Sequence, residues 1–177
     1  MKMIKRMVLA GLSCLALVAT VHADKTTGQQ VDDTALAASV KTKLIETKGV
    51  SSTAINVDVN LGNVSLGGFL ASDAEKQAAL KAAKAVSGVK HVYDGLVVIN
   101  KNRSAGQAID DTTIQATLKE KLAELDMSKA WNINTDVYNG HVLMSGFVHG
   151  AASRTKAGEI AQGIKGVKKV DNKLELK

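Results

Sequence analysis

The sequence predicts an α+β protein in which one α-β-β-α-β unit is written twice. Three observations carry this. The chain repeats itself at an offset of 78 residues without a gap, with 24 identities in the 67 positions of 32–98 set against 110–176. Within each copy the apolar spacing switches between a helical period and a strand period. Glycine-bearing turn signals stand at matching places between those segments. A period of this length signals duplicated units rather than one continuous core.

The elements follow in order. Leu36, Val40, Leu44 and Ile45 lie at helical spacing and predict a helix over Asp33–Lys48. Ile114, Leu118, Leu122 and Leu125 form the same stripe in the second copy. The pairs Asp32-Asp33 and Asp110-Asp111 are expected at the helix starts, as caps and as acids favoured by the helix dipole. Ile55, Val57 and Val59 alternate with Asn56, Asp58 and Asn60, the mark of a half-buried strand. Leu61-Gly62 and Asn139-Gly140 predict tight hairpins. Val64–Leu70 and Val142–Val148 are the return strands. Ser72 with Glu75 three residues later reads as a capping box opening an alanine-rich helix through Val86. Gly88 and Gly166 stand where a C-cap glycine belongs, and Val89–Ile99 and Val167–Leu176 are the final strands.

This order places two helices on one face of a three-stranded sheet. Gly68 and Gly146, on the second strand, leave room for another backbone to approach. A unit of this size has a marginal core, and contact between the units would supply further burial. Leu96, Val97, Val98 and Ile99 make the last strand of the first unit apolar on both faces, which fits such a contact. The units are expected at 32–99 and 110–177, with a polar lead-in at 24–31 and a polar linker at 100–109.

Residues 1–23 read as an export signal. Lys2, Lys5 and Arg6 form the basic start, Met7–Val18 is the apolar stretch, and Val21-His22-Ala23 suits cleavage after Ala23. That stretch is too short to span a bilayer, and the chain after it offers no other segment that could. Cys14, the single cysteine, lies inside it and lacks a lipobox. The mature chain is then thiol-free and carries +3 rather than the precursor's +6. It holds no disulfide or cysteine metal site, and its charge makes a poor case for nucleic acid.

The stretch Gly62–Ser72, the alanine helix, and Gly88-Val89-Lys90-His91-Val92-Tyr93-Asp94-Gly95-Leu96 together resemble the BON domain. The second copy matches that pattern more closely, as Gly166-Val167-Lys168-Lys169-Val170-Asp171-Asn172-Lys173-Leu174. The first departs from it at Asp94, where Asn is usual. The resemblance spans both units. With the export signal, it implies a tandem-BON periplasmic protein of the envelope or osmotic stress response. It implies binding of phospholipid or of other envelope proteins, and no catalysis.

The residues themselves offer no catalytic constellation, cofactor cradle or metal cluster. His141 and His149 stand at opposite ends of one strand, too far apart for one ion. Gly62, Gly67 and Gly68 mimic a phosphate loop but lack its lysine and its helix. Binding is the expected class, with an anionic phospholipid surface as the first partner. Trp131 beside Lys129 suits a bilayer interface, and Lys119 and Lys121 add charge on the preceding helix. The counterpart of Trp131 is Thr53, so the repeat does not require the indole. The plain alternative is a Trp packed beneath a loop. Gly62, Gly68, Gly88, Gly140, Gly146 and Gly166 are expected to be structural. The other functional expectation is a chaperone-like holder of unfolded envelope or outer-membrane proteins, with an apolar sheet face exposed. Oligomeric state is not legible.

Overall fold

The computed structural model describes residues 27–99, 102, 104–124 and 132–177. The expected export signal lies outside the described residues.

The first unit runs α1 (Thr27–Glu46), a 3-10 turn (Ser52–Ala54), β1 (Asn56–Asn60), β2 (Asn63–Leu70), α2 (Asp73–Lys84) and β3 (His91–Val98). The second runs α3 (Ala105–Glu124), β4 (Asn132–Tyr138), β5 (His141–Val148), α4 (Ala151–Gln162) and β6 (Lys169–Leu176). Each sheet has its second strand in the middle, antiparallel to the first and parallel to the third. The helices cover one face. Val40 and Leu44 of α1 meet Val64, Leu66 and Leu70 of β2 and the alanines of α2 in one core. Ile114, Leu118 and Leu122 of α3 meet Val142, Met144 and Val148 in the other.

Both first helices start earlier than Asp33 and Asp111. The cap of α3 is Ser104, whose Oγ accepts the Gln107 N–H at 3.2 Å while the Gln107 carboxamide accepts the Ser104 N–H at 2.7 Å. That reciprocal box opens a helix inside the stretch expected to be linker. The acids expected to cap the helices therefore lie within them. Asp33 accepts the N–H groups of Leu61 and Gly62 at 2.9 and 3.0 Å. Asp111 accepts those of Asn139 and Gly140, both at 2.8 Å. Each carboxylate pins a hairpin turn to the helix behind it. The turns need positive φ at both central residues, and Leu61, Gly62, Asn139 and Gly140 all have it.

The box expected at Ser72 is half formed. Ser72 Oγ accepts the Glu75 N–H at 3.2 Å. The buried Glu75 carboxylate instead accepts from Ser51 N at 2.8 Å and Ala71 N at 3.1 Å, bracing the loop before β1. Gly88 and Gly166 take φ +93, one short turn past the helices they follow. Gly68 takes φ +146, and a Cβ there would collide with the Ala54 carbonyl.

The third-strand edge of each sheet is partly plugged. In β3 the Leu96 N–H donates to Asp94 Oδ1 at 3.1 Å, and its carbonyl accepts from Lys76 Nζ at 2.8 Å. Lys76 also pairs with Asp94 at 2.8 Å. In β6 the Leu174 N–H donates to Asn172 Oδ1 at 3.3 Å, and Asn172 Nδ2 donates to the Arg154 carbonyl at 2.7 Å. Asp and Asn thus serve one purpose at that position: each side chain occupies the edge N–H two residues on, which an incoming strand would need.

Candidate functional site

The sheet faces turned away from the helices pack on each other. Alternation along the strands decides which residues meet there. From the first unit these are Ser65, Gly67 and Phe69 of β2, with Asn56 and Asp58 of β1 and Tyr93 and Gly95 of β3. From the second they include Leu143, Ser145 and Phe147 of β5, with Asn134 and Asp136 of β4. Phe69 lies 5.2 Å from the His141 ring and 6.2 Å from that of Tyr138, while Tyr93 lies edge-on to Phe147 at 6.0 Å. The start of β5 thus meets the end of β2, so the two central strands run antiparallel across the seam.

A pseudo-two-fold axis relates the units. It passes through Gly67 and Ser145, which are counterparts in the repeat. A Cβ on Gly67 would collide with Ser145 Oγ, and one on Gly95 would lie 3.3 Å from Cβ of Lys173, its own counterpart. The duplicated row has diverged so that one sheet offers hydrogens where the other offers side chains. Two reciprocal hydrogen bonds flank the axis. Asn56 Nδ2 donates to Asp136 Oδ2 at 2.7 Å, and Asn134 Nδ2 donates to Asp58 Oδ2. Burial pushes the Asp58 carboxyl up to about 6, against the Asn134 hydrogen bond and the Lys41 charge. Burial likewise raises Asp136, against Lys119 and Asn56. At the rim, His141 Nε2 contacts Asp171 Oδ2 at 2.7 Å, and Lys169 reaches the same oxygen at 3.2 Å. Burial pushes the Asp171 carboxyl up, but these two partners outweigh it and hold it below its ordinary range.

With the sheets facing inward, the helices and connecting loops form the outer surface. Its charge is uneven. Residues 139–177 hold seven Lys and Arg against three Asp and Glu, more than the whole net charge of the chain after Ala23. The loop after α4 presents Lys165 and Lys168, and β6 opens with Lys169, all three exposed. The loop borders a cleft of about 370 Å³ closed on its other sides by the early turns of α3 and the Asn139-Gly140 turn. The Lys168 stem lies over Gly140, where a Cβ would approach its Cγ to 3.2 Å.

The residues singled out from the sequence fall differently. Lys119 and Lys121 are both exposed on α3, on either side of its buried Leu118–Leu122 stripe. Two residues apart on a helix means about 200° apart around it, so they do not form one patch. Lys119 faces the seam side, where it acts on Asp136. Lys129 and Trp131 lie outside the described residues. Sequence reasoning missed the Asn–Asp pairs and the basic loop. The signal for the pairs was present: Asn56, Asp58, Asn134 and Asp136 are polar residues retained in both copies. Among the described residues, no three His, Cys, Asp or Glu side chains gather as metal ligands, and no helix is long and apolar enough to cross a membrane.

Two αββαβ units, each with a glycine-bearing central strand and joined sheet to sheet, define a tandem-repeat module. The chain belongs to the BON-domain family: residues 32–100 and 110–177 each match the model of the BON domain. It is 35% identical over 151 residues to osmotically-inducible protein Y of Escherichia coli K12, covering 85% of this chain and 75% of that protein. It is 32% identical over 157 residues to the outer membrane lipoprotein DolP of Haemophilus influenzae, covering 88% and 80%. It is 29% identical over 147 residues to a 21 kDa hemolysin of Actinobacillus pleuropneumoniae, covering 82% and 75%.

Proposed function

We propose that this protein is a non-catalytic envelope protein of the osmotic stress type, exported to the periplasm, that binds anionic phospholipid surfaces. The basic loop of the second unit carries this reading. Lys165 and Lys168 line the mouth of a cleft and Lys169 follows at the start of β6, on the part of the chain that holds its net positive charge. A basic residue near an anionic bilayer gains about 1 kcal/mol, so three acting together give a contact that is useful and reversible. The names of two relatives, an osmotically inducible protein and an outer membrane lipoprotein, agree with the setting. Trp131 and Lys129 belong to the same second unit and are proposed as further lipid contacts.

A holder of unfolded envelope proteins would use exposed apolar sheet. Here Leu143 and Phe147 are almost fully buried in the seam and the third-strand edges are partly plugged, which favours the lipid reading. The test is co-sedimentation of the chain from Asp24 onward with anionic and zwitterionic vesicles at low and moderate salt. Binding confined to anionic vesicles and weakened by salt is expected. No binding to anionic vesicles even at low salt contradicts it, and suppression of client aggregation would then favour the holder.

A further inference from the structure

We propose that the seam between the two sheets is a proton-controlled latch, drawn closed by acid and loosened toward neutral pH, with Asp58 and Asp136 as its paired sensors. The inference is independent of the lipid reading.

The geometry is symmetrical. Each carboxylate sits on the sheet face turned toward the other unit and is half-buried there. Each has one hydrogen-bond donor from across the seam, Asn134 for Asp58 and Asn56 for Asp136. Each has one cation in electrostatic reach from its own unit, Lys41 on α1 and Lys119 on α3. Both lysines are exposed, so solvent screens them. The other titratable groups around the seam are His91 and Tyr93 on β3, Tyr138 on β4, His141 on β5, and Lys169, Asp171, Lys173 and Glu175 on β6. His141 and Lys169 are engaged by Asp171. Lys173 lies over Gly95, on the strand furthest from β1 and β4.

An ionised carboxylate loses hydration when the seam closes, and one amide with a screened lysine does not replace it. A protonated carboxyl loses much less and still accepts from the asparagine. Closing therefore favours the protonated form, and burial raises both groups accordingly. A group raised in this way stabilises the closed seam fully below about pH 4, and the benefit fades as pH climbs through about 6. The rest of the seam is poorly placed to resist. Its apolar contact rests on a few side chains, and the buried hydroxyls of Ser65 and Ser145 have no hydrogen-bond partner among the described residues. The seam should yield before either helix-covered core. Opening would bare Phe69, Tyr93, Leu143 and Phe147.

The test uses the whole mature chain. It has no cysteine after Cys14, so Lys81→Cys and Gln162→Cys can carry a donor and an acceptor dye, one on the outer helix of each unit. Energy transfer then reports the ratio of open to closed seam. For Asp58 moving from 3.8 to about 6 on closing, that ratio should rise about tenfold between pH 5 and 7.5, with a further rise from Asp136. The pair D58N/D136N should remove the dependence. A ratio that does not move with pH, or the same slope in the double variant, overturns the proposal. Should that variant lose the seam altogether, carboxyl-carbon NMR of the wild-type chain decides. An Asp58 midpoint near 6 supports the latch, and an ordinary carboxylate midpoint overturns it.

Discussion

Gly67 lies directly against the side chain of Ser145, its own counterpart in the other unit. The contact marks the axis about which the two sheets pair, and its asymmetry makes them fit. Two serines there would collide. Two glycines would leave a hole.

Substituting Gly67→Ser should therefore force the sheets apart, at a cost of about 1–3 kcal/mol, as for an overpacked core. Adding Ser145→Gly exchanges the row between the units and should recover most of the loss. Urea denaturation of the two single variants and the double checks this. Strictly additive losses would show that the positions do not touch.

The hairpin anchors give a second test. Asp33→Ala strands one buried and one part-buried N–H and should cost about 1–3 kcal/mol, and Asp111→Ala should cost a similar amount. Asp32→Ala, on an exposed neighbour, should stay within about 0.5 kcal/mol. Equal effects at Asp32 and Asp33 would restore the helix-cap reading.

That reading failed for an identifiable reason. An acid pair ahead of an apolar periodicity looks like a helix start, yet Ser104-Ala105-Gly106-Gln107 spells the capping box of α3 inside a polar stretch that reads as linker. The strands, the hairpins and the order of elements were legible because alternation and glycine turns are local signals, and because each was written twice. The sheet-on-sheet pairing was foreshadowed only by the two-faced apolar strand at Leu96–Ile99. Its contacts join residues about 80 apart, and no periodicity within one unit reports on them. The basic loop was equally hidden: Lys165, Lys168 and Lys169 are ordinary surface lysines until the fold sets them beside the Asn139-Gly140 turn.

Gly68 should tolerate no side chain. Its φ of +146 is available essentially to glycine, and the Ala54 carbonyl occupies the space a methyl would need. Gly68→Ala should cost more than about 2 kcal/mol and should lower the denaturation midpoint accordingly. A loss below 0.5 kcal/mol, on the same rough scale for a harmless surface change, would mean that β2 is placed wrongly.

The acid limb of stability should belong in part to Asp171. Its carboxyl is held low by His141 and Lys169 despite some burial, so its contribution is present above about pH 4 and is lost as pH falls below that. Asp171→Asn should flatten this limb. A thermal-unfolding series from pH 2 to 5 measures it, and identical limbs in both proteins would contradict the assignment.

Reversing the charge of the basic loop, as K165E/K168E/K169E, should weaken binding to anionic vesicles by at least about tenfold, since each cation near the surface contributes about 1 kcal/mol. The same change at Lys81 and Lys84 of α2, also exposed, should do far less. Co-sedimentation of the two variants beside wild type checks the contrast, and equal losses would reduce the effect to net charge alone.

The most direct measurement is amide hydrogen exchange of the mature chain, with and without anionic vesicles. Slowed exchange is expected in the segment 163–170 and the Asn139-Gly140 turn beside it, with the seam strands β2 and β5 unchanged. Protection confined to β2 and β5, or none anywhere under conditions where the chain co-sediments, would contradict it.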